Sequence, residues 1–162
     1  MILSIIVFLP LFGAGIIALF LKSDRHIRIF SAVVTAVACL LALGVFSHFD
    51  SGQAGIQFEE RHIWIPQLGI EYFLGVDGLS LPLVILTTIL GFCCIPVSWD
   101  IPVRQREYFI WLLVLETGVL GVFTSLDFFL FFIFWEVELI PMYFLISIWG
   151  TGRKENSAMK FL

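Results

Sequence analysis

Residues Glu107–Gly150 read EYFIWLLVLETGVLGVFTSLDFFLFFIFWEVELIPMYFLISIWG. Drawn out as one α-helix they would run roughly 66 Å, about twice the ~30 Å hydrocarbon thickness of a bilayer. The only polar break is Thr124, Ser125 and Asp127, so the chain must turn there and cross back. Asp127 or Ser125 stands where a side-chain oxygen can cap the returning helix, satisfying amides otherwise orphaned at the membrane boundary. A connection this short makes the two crossings antiparallel neighbours.

Working outward, three more apolar runs fall at Met1–Leu21, Ile27–Ser47 and Leu79–Trp99. With Tyr108–Ser125 and Phe128–Trp149 they make five, each about 20 residues, the length a spanning helix needs. Barrel strands would be shorter and would alternate in polarity, which these runs do not. Composition agrees. Of 162 residues, 60% are hydrophobic and 14% charged, and 18 are Phe, which leaves too little polar sequence to cover a soluble core. A net charge of -4 argues against a nucleic-acid partner, which would need a basic face. The expectation is an all-α integral membrane protein with five transmembrane helices in the lipid bilayer. Residues 1–47 hold helices 1 and 2, residues 48–78 an outer-face loop, and residues 79–162 helices 3 to 5 and the start of a further connection. The first run lacks a positive leader and a small-residue cleavage site, so it reads as a retained helix.

Basic residues set the expected orientation. Lys22, Arg25, Arg28, Arg104, Arg106, Arg153, Lys154 and Lys160 fall on one side of the spans, and Arg61 alone on the other. The positive-inside rule then puts the N-terminus outside and the C-terminus in the cytoplasm. Trp99, Trp111 and Trp149 lie toward the basic side, as an interfacial aromatic belt would. In the outer loop, Gln57–Phe73 mixes β-formers with Pro66 and Gly69, predicting two short strands around a turn. They would serve as a structural cap or as a docking surface for a partner.

Cys39, Cys93 and Cys94 have no CxxC spacing and sit in apolar runs, where Cys acts as a small hydrophobe. His48 and His62 lack companions at metal-ligand spacing. No Walker loop or dinucleotide fingerprint is present. The sequence therefore offers neither a metal site nor a cofactor-binding site of its own.

Chemistry concentrates in three acids. Glu116, Glu136 and Glu138 lie inside the fourth and fifth spans, where an unpaired carboxylate costs roughly 3 kcal/mol or more and marks ion or proton routes. Every Lys, Arg and His lies outside the spans or at their edges. The acids must hold their protons, or meet water and groups from other polypeptide. Glu116 and Glu136 stand about ten residues either side of the turn, hence about 15 Å deep. At equal depth on neighbouring helices they could face one another or line one wet track. The bland alternative is a protonated acid hydrogen-bonded to a nearby backbone or hydroxyl group, Thr117 being adjacent to Glu116. Glu136 and Glu138 diverge by about 200° around their helix, so they cannot share one face. Pro141 removes the hydrogen bond to Val137 and loosens the turn that holds both. Gly118 and Gly121 permit close helix contact.

The stretch Phe128-Phe-Leu-Phe-Phe-Ile-Phe-Trp-Glu136-Val-Glu138-Leu-Ile-Pro141-Met-Tyr resembles the fifth helix of the antiporter-like membrane subunit called chain M, or subunit 4, of proton-pumping NADH:quinone oxidoreductase (respiratory complex I). Trp64-Ile-Pro66, Gly75-Val-Asp77-Gly-Leu-Ser80 and Glu116-Thr-Gly-Val-Leu-Gly-Val-Phe123 resemble the same subunit, and the likeness runs through the whole chain. The resemblance implies a bacterial inner-membrane subunit, partnered by other membrane-arm subunits. The parent enzyme passes electrons from NADH through FMN and iron–sulfur clusters to quinone and drives protons outward; this chain would do no redox chemistry itself. In the family, the glutamate of the Phe-Trp-Glu motif faces a lysine on a later broken helix. That glutamate falls on Glu136. Glu138 falls where the family is not always acidic, and Glu116 where some relatives are acidic and others apolar. Full members are far longer and use paired inverted repeats. The chain therefore reads as a truncated antiporter-like domain, with Asn156–Leu162 approaching a sixth helix. The remaining C-terminal helices would come in cis or in trans. A subunit of a multi-subunit cation/proton antiporter and a purely structural membrane subunit are the alternatives.

Overall fold

The computed structural model describes residues 1–53, 55–152 and 158–160. Arg153 and Lys154, used above for orientation, lie outside the described residues, as does most of the Asn156–Leu162 approach to a sixth helix. Five helices carry the architecture: α1 (Ile2–Phe20), α2 (Asp24–His48), α3 (Ser80–Val97), α4 (Gln105–Thr124) and α5 (Phe128–Trp149). All five are long and apolar enough to cross a membrane. Between α2 and α3 an antiparallel hairpin forms from β1 (Gln57–Ile65) and β2 (Ile70–Val76). The expected all-α membrane class and the small hairpin are both present.

Helix starts differ from the apolar runs. α2 begins at Asp24 rather than Ile27, and α4 at Gln105 rather than Tyr108. Each opens with a charged turn that a hydropathy window passes over. Asp24 and Glu107 sit in those first turns, where a negative charge suits the helix dipole. Asp127 caps α5 as expected: one carboxylate oxygen accepts from the amides of Phe129 at 2.9 Å and Leu130 at 3.0 Å.

α4 is the hub and packs against each of the other four helices. Two apolar clusters form around it. One, toward the hairpin, joins Leu3, Ile6 and Val7 of α1 to Val45, Leu81, Leu120, Leu130 and Phe134. The other, toward the opposite end, joins Ala14 and Ile17 to Ile27, Val34, Ile95, Phe109 and Leu113. Small residues let helices close up. A Cβ at Gly13 would lie 3.0 Å from a methyl of Val34, and one at Gly121 would overlap the Phe134 ring.

The hairpin turns through a short 3-10 segment, Pro66–Leu68, closed by Gly69 in the left-handed region at φ 66°. Register runs Arg61↔Phe73, His62↔Tyr72 and Ile63↔Glu71, with Arg61 ion-paired to Glu71. Leu74 and Val76 enter the apolar cluster beneath. The hairpin is stitched to the bundle at two places. Leu126 N–H donates to the Phe73 carbonyl at 2.9 Å, and the second Asp127 oxygen accepts from Glu71 N–H at 3.2 Å. Glu60, only 5% exposed, reaches the start of α1 and accepts from the amides of Leu3 at 2.8 Å and Ser4 at 3.2 Å. Burial opposes its ionisation. The Met1 ammonium, the Ser4 hydroxyl and those amides outweigh burial and hold the carboxyl below its ordinary value.

Candidate functional site

The three intramembrane acids occupy three different environments. Glu116, on the hub helix, is 5% exposed, and neither carboxylate oxygen has a hydrogen-bond partner among the described residues. Its side chain lies against α3: a Cβ built on Gly91 would stand 2.6 Å from a Glu116 oxygen. Thr117 does not relieve it, because that hydroxyl donates to the Leu113 carbonyl at 3.2 Å. The hydrogen-bonded alternative raised for this acid therefore finds no partner in the neighbouring hydroxyl. Beside the carboxyl, between α3 and α4, is a cavity of about 240 Å³ lined by Thr87, Gly91, Cys94, Leu112 and Val119. Apart from the Glu116 carboxyl and the Thr87 hydroxyl, which donates to the Leu83 carbonyl at 2.8 Å, that lining is largely apolar.

Glu138 faces the other way. α4 and α5 meet at Gly118, where a Cβ would come within 2.9 Å of the Glu138 backbone. Gly118 is two residues from Glu116, about 200° around α4, so the Glu116 carboxyl points away from α5. Glu138 itself is half-buried along that seam. Glu136 is exposed on the outer side of α5, among exposed Phe128, Phe132, Trp135 and Ile140. The equal depth of Glu116 and Glu136 does not bring them together. Glu116 looks toward α3 and Glu136 looks out of the bundle. As expected from their spacing, Glu136 and Glu138 share no face.

The arrangement can hold a proton at Glu116 beside an open space in the α3–α4 seam, and it leaves Glu136 exposed on α5. Pro141 is buried and leaves α5 unbroken from Phe128 to Trp149. Among the described residues no group of three or more His, Cys, Asp or Glu could hold a metal ion. Sequence reasoning missed two residues. Gly91 lies in an apolar run with nothing to mark it as the seat of a carboxyl. Glu60 was one of several acids in the outer loop, and its contact with α1 spans more than half a hundred positions that no local pattern links.

Comparison with known proteins completes the picture. A family model described as NADH:quinone oxidoreductase/Mrp antiporter, transmembrane, matches residues 125–162. NAD(P)H-quinone oxidoreductase chain 4 1 of Synechococcus elongatus is 41% identical over 97% of this chain and 30% of its own length. NADH-quinone oxidoreductase subunit M of Rhodobacter capsulatus is also 41% identical, over 98% of this chain and 32% of its own length. In fold, a chain of respiratory complex I from Thermus thermophilus with bound NADH superposes with a TM-score of 0.80 at 23% identity, covering 98% of this chain and 31% of that one. A chain of an archaeal membrane-bound sulfane sulfur reductase gives 0.79 at 18% identity, covering 99% and 24%. The chain spans about a third of the length of the curated relatives it matches. Over nearly the whole of its own sequence the chain is similar to the membrane subunits of the M or chain 4 type of NADH:quinone oxidoreductase, and its fold is that of a membrane chain of respiratory complex I.

Proposed function

We propose that this chain forms part of a proton-translocating membrane subunit of NADH:quinone oxidoreductase. Protons would move outward as electrons pass from NADH to quinone. Its likeness to chain 4 and subunit M proteins supports this reading. The observation that carries it is Glu116, a carboxyl buried in a membrane-spanning helix with no partner for either oxygen and a cavity at its side. An acid in that position is retained at a cost, and proton relays are the usual reason.

Glu136 takes the leading role. Exposed on α5, it is placed to meet a basic side chain from further helices, in cis or in trans, and to exchange protons as that pairing changes. Glu138, in the α4–α5 seam, and Glu116, at the α3–α4 cavity, are the further proton-carrying groups. FMN, iron–sulfur clusters, NADH and quinone belong to other subunits of the enzyme, with which this chain assembles in the bacterial inner membrane. The basic end of the bundle faces the cytoplasm and the hairpin faces outward, as the positive-inside rule requires.

The test is Glu136→Gln in the assembled enzyme. Proton pumping, read by a pH-sensitive dye in sealed vesicles, should fall nearly to background while the complex still assembles. Normal pumping with normal assembly overturns the role. The family model also names Mrp antiporters, which supports a second reading as a cation/proton antiporter subunit. Sodium- or potassium-dependent proton flux without NADH would favour it.

A further inference from the structure

Another cavity is lined by none of the three acids. At the end of the bundle opposite the hairpin, a cleft of about 830 Å³ opens between the end of α1, the first turns of α2 and the connection from α3 into α4. Its charged lining divides by sign and by pairing. Arg104 is committed to Glu107 in an ion pair three residues along α4. Arg106 donates to the Ile17 carbonyl at 3.3 Å and to the Ala18 carbonyl, satisfying acceptors that the end of α1 leaves open. Arg28 donates to the Gln105 side chain at 3.2 Å and lies 5.7 Å over the Trp99 ring. Among the described residues both of these arginines are bonded only to neutral acceptors, and neither has an ion pair. On the other side of the ledger, Asp24 and Asp100 line the same cleft. Neither side chain has an ion pair or hydrogen bond among the described residues. Asp24 is one helical turn from Arg28, yet the guanidinium goes to Gln105 and Trp99 instead.

We propose that this cleft seats the headgroup of phosphatidylethanolamine. Two arginines and two carboxylates at one membrane-end cleft, none of them ion-paired among the described residues, suit a ligand that carries both signs close together. A phosphodiester joined to a primary ammonium answers both. Arginine N–H groups hold phosphate oxygens, and an ammonium offers three donors to carboxylates. The site is at the level where headgroups lie, since α1, α2, α3 and α4 all end or begin around it. Trp99 stands beside Arg28 as an interfacial aromatic would, and basic pockets between membrane helices are known headgroup sites. Ile101, Pro102 and Ile110 line the cleft as well, giving the glycerol and upper acyl chain an apolar wall. Phosphatidylcholine would lose the ammonium donors, and phosphatidylglycerol would bring hydroxyl donors but no positive charge to Asp24 and Asp100.

The experiment places the full chain in nanodiscs of equal phosphatidylethanolamine, phosphatidylcholine and phosphatidylglycerol, strips it gently, and counts retained lipids by native mass spectrometry. Phosphatidylethanolamine should be retained about tenfold over either competitor. Asp24→Asn combined with Asp100→Asn should erase its advantage over phosphatidylcholine, and Arg28→Gln should lower retention of all three. Both aspartates are exposed, so the double variant keeps the test valid if Arg28→Gln fails to fold. Equal retention of the three lipids, preference for phosphatidylglycerol, or an unchanged preference in the aspartate variant overturns the proposal. So does release of the lipid by millimolar inorganic phosphate, which would identify a free-anion site.

Discussion

Glu116 and Gly91 are best understood as a pair. A carboxyl without partners can pack at mid-membrane depth only where nothing else fills the space, and the bare Cα of Gly91 supplies that space. Gly91→Ala puts a methyl carbon 2.6 Å from the carboxyl oxygen, so the side chain must leave its seat. The expected outcome is a severalfold loss of dye-detected proton pumping in the assembled enzyme, matching that of Glu116→Gln, with NADH oxidation by uncoupled membranes retained. Full pumping in both variants would assign Glu116 to packing alone. The direction of Glu116 is encoded in the spacing of the small residues on α4. Gly118 and Gly121 mark the side of α4 that meets α5, and Glu116 is about 200° from the first and 140° from the second. Equal depth along the helix axes does not bring Glu116 and Glu136 together, because rotation about those axes turns them to different surroundings.

At the scale of elements, the five spans and the hairpin were legible because apolar runs and turn residues are local signals. The cap of α5 was legible as Asp127 or Ser125, and Asp127 fills it. What was not legible is how separate elements hold one another. Asp127 also accepts from Glu71, and Glu60 serves the start of α1. No periodicity encodes either contact, since each joins segments distant in sequence. Asp127→Ala should cost about 1 kcal/mol through loss of the cap, read as faster amide exchange at Phe129 and Leu130. Burial pushes the Asp127 carboxyl up, but the amides of Leu130, Glu71 and Phe129 outweigh it and hold it below its ordinary value. The sign follows from that direction. A carboxyl that binds its proton more weakly when folded contributes fully above its unfolded pKa, about 4, and that contribution fades as pH falls through the lower folded value. Protection of the first turn of α5 should therefore hold at neutral pH and weaken only in acid. A loss beginning above pH ~6 would contradict the assignment. The helix seams admit a similar check. Gly121→Ala should destabilise the bundle by about 1–3 kcal/mol because its methyl overlaps Phe134, whereas Gly15→Ala, with open space around it, should be neutral or slightly favourable. Thermal loss of helix signal in nanodiscs separates the two.

Across the whole molecule, α4 holds both apolar clusters together, with Leu113 in one, Leu120 in the other, and Glu116 at the level between them. The clusters seal the bundle above and below that carboxyl. On the proposed function, a proton would reach Glu116 from the α3–α4 seam and not down the middle of these five helices. Vesicles that carry only these 162 residues should hold an imposed pH gradient as long as empty ones. Rapid collapse of the gradient would reveal a path through the bundle itself.

The tight turn at Ser125–Asp127 has a consequence for biosynthesis. α4 is the least apolar of the five spans, and a centrally placed acid taxes lateral release into lipid by about 3 kcal/mol. α5 follows it out of the ribosome within a few seconds at ~10 residues per second. The phenylalanine-rich partner therefore emerges while α4 still lingers in the translocon, and the two would enter the bilayer as one unit. Lengthening that turn with a polar linker should leave a fraction of newly made chains with α4 stranded outside the membrane.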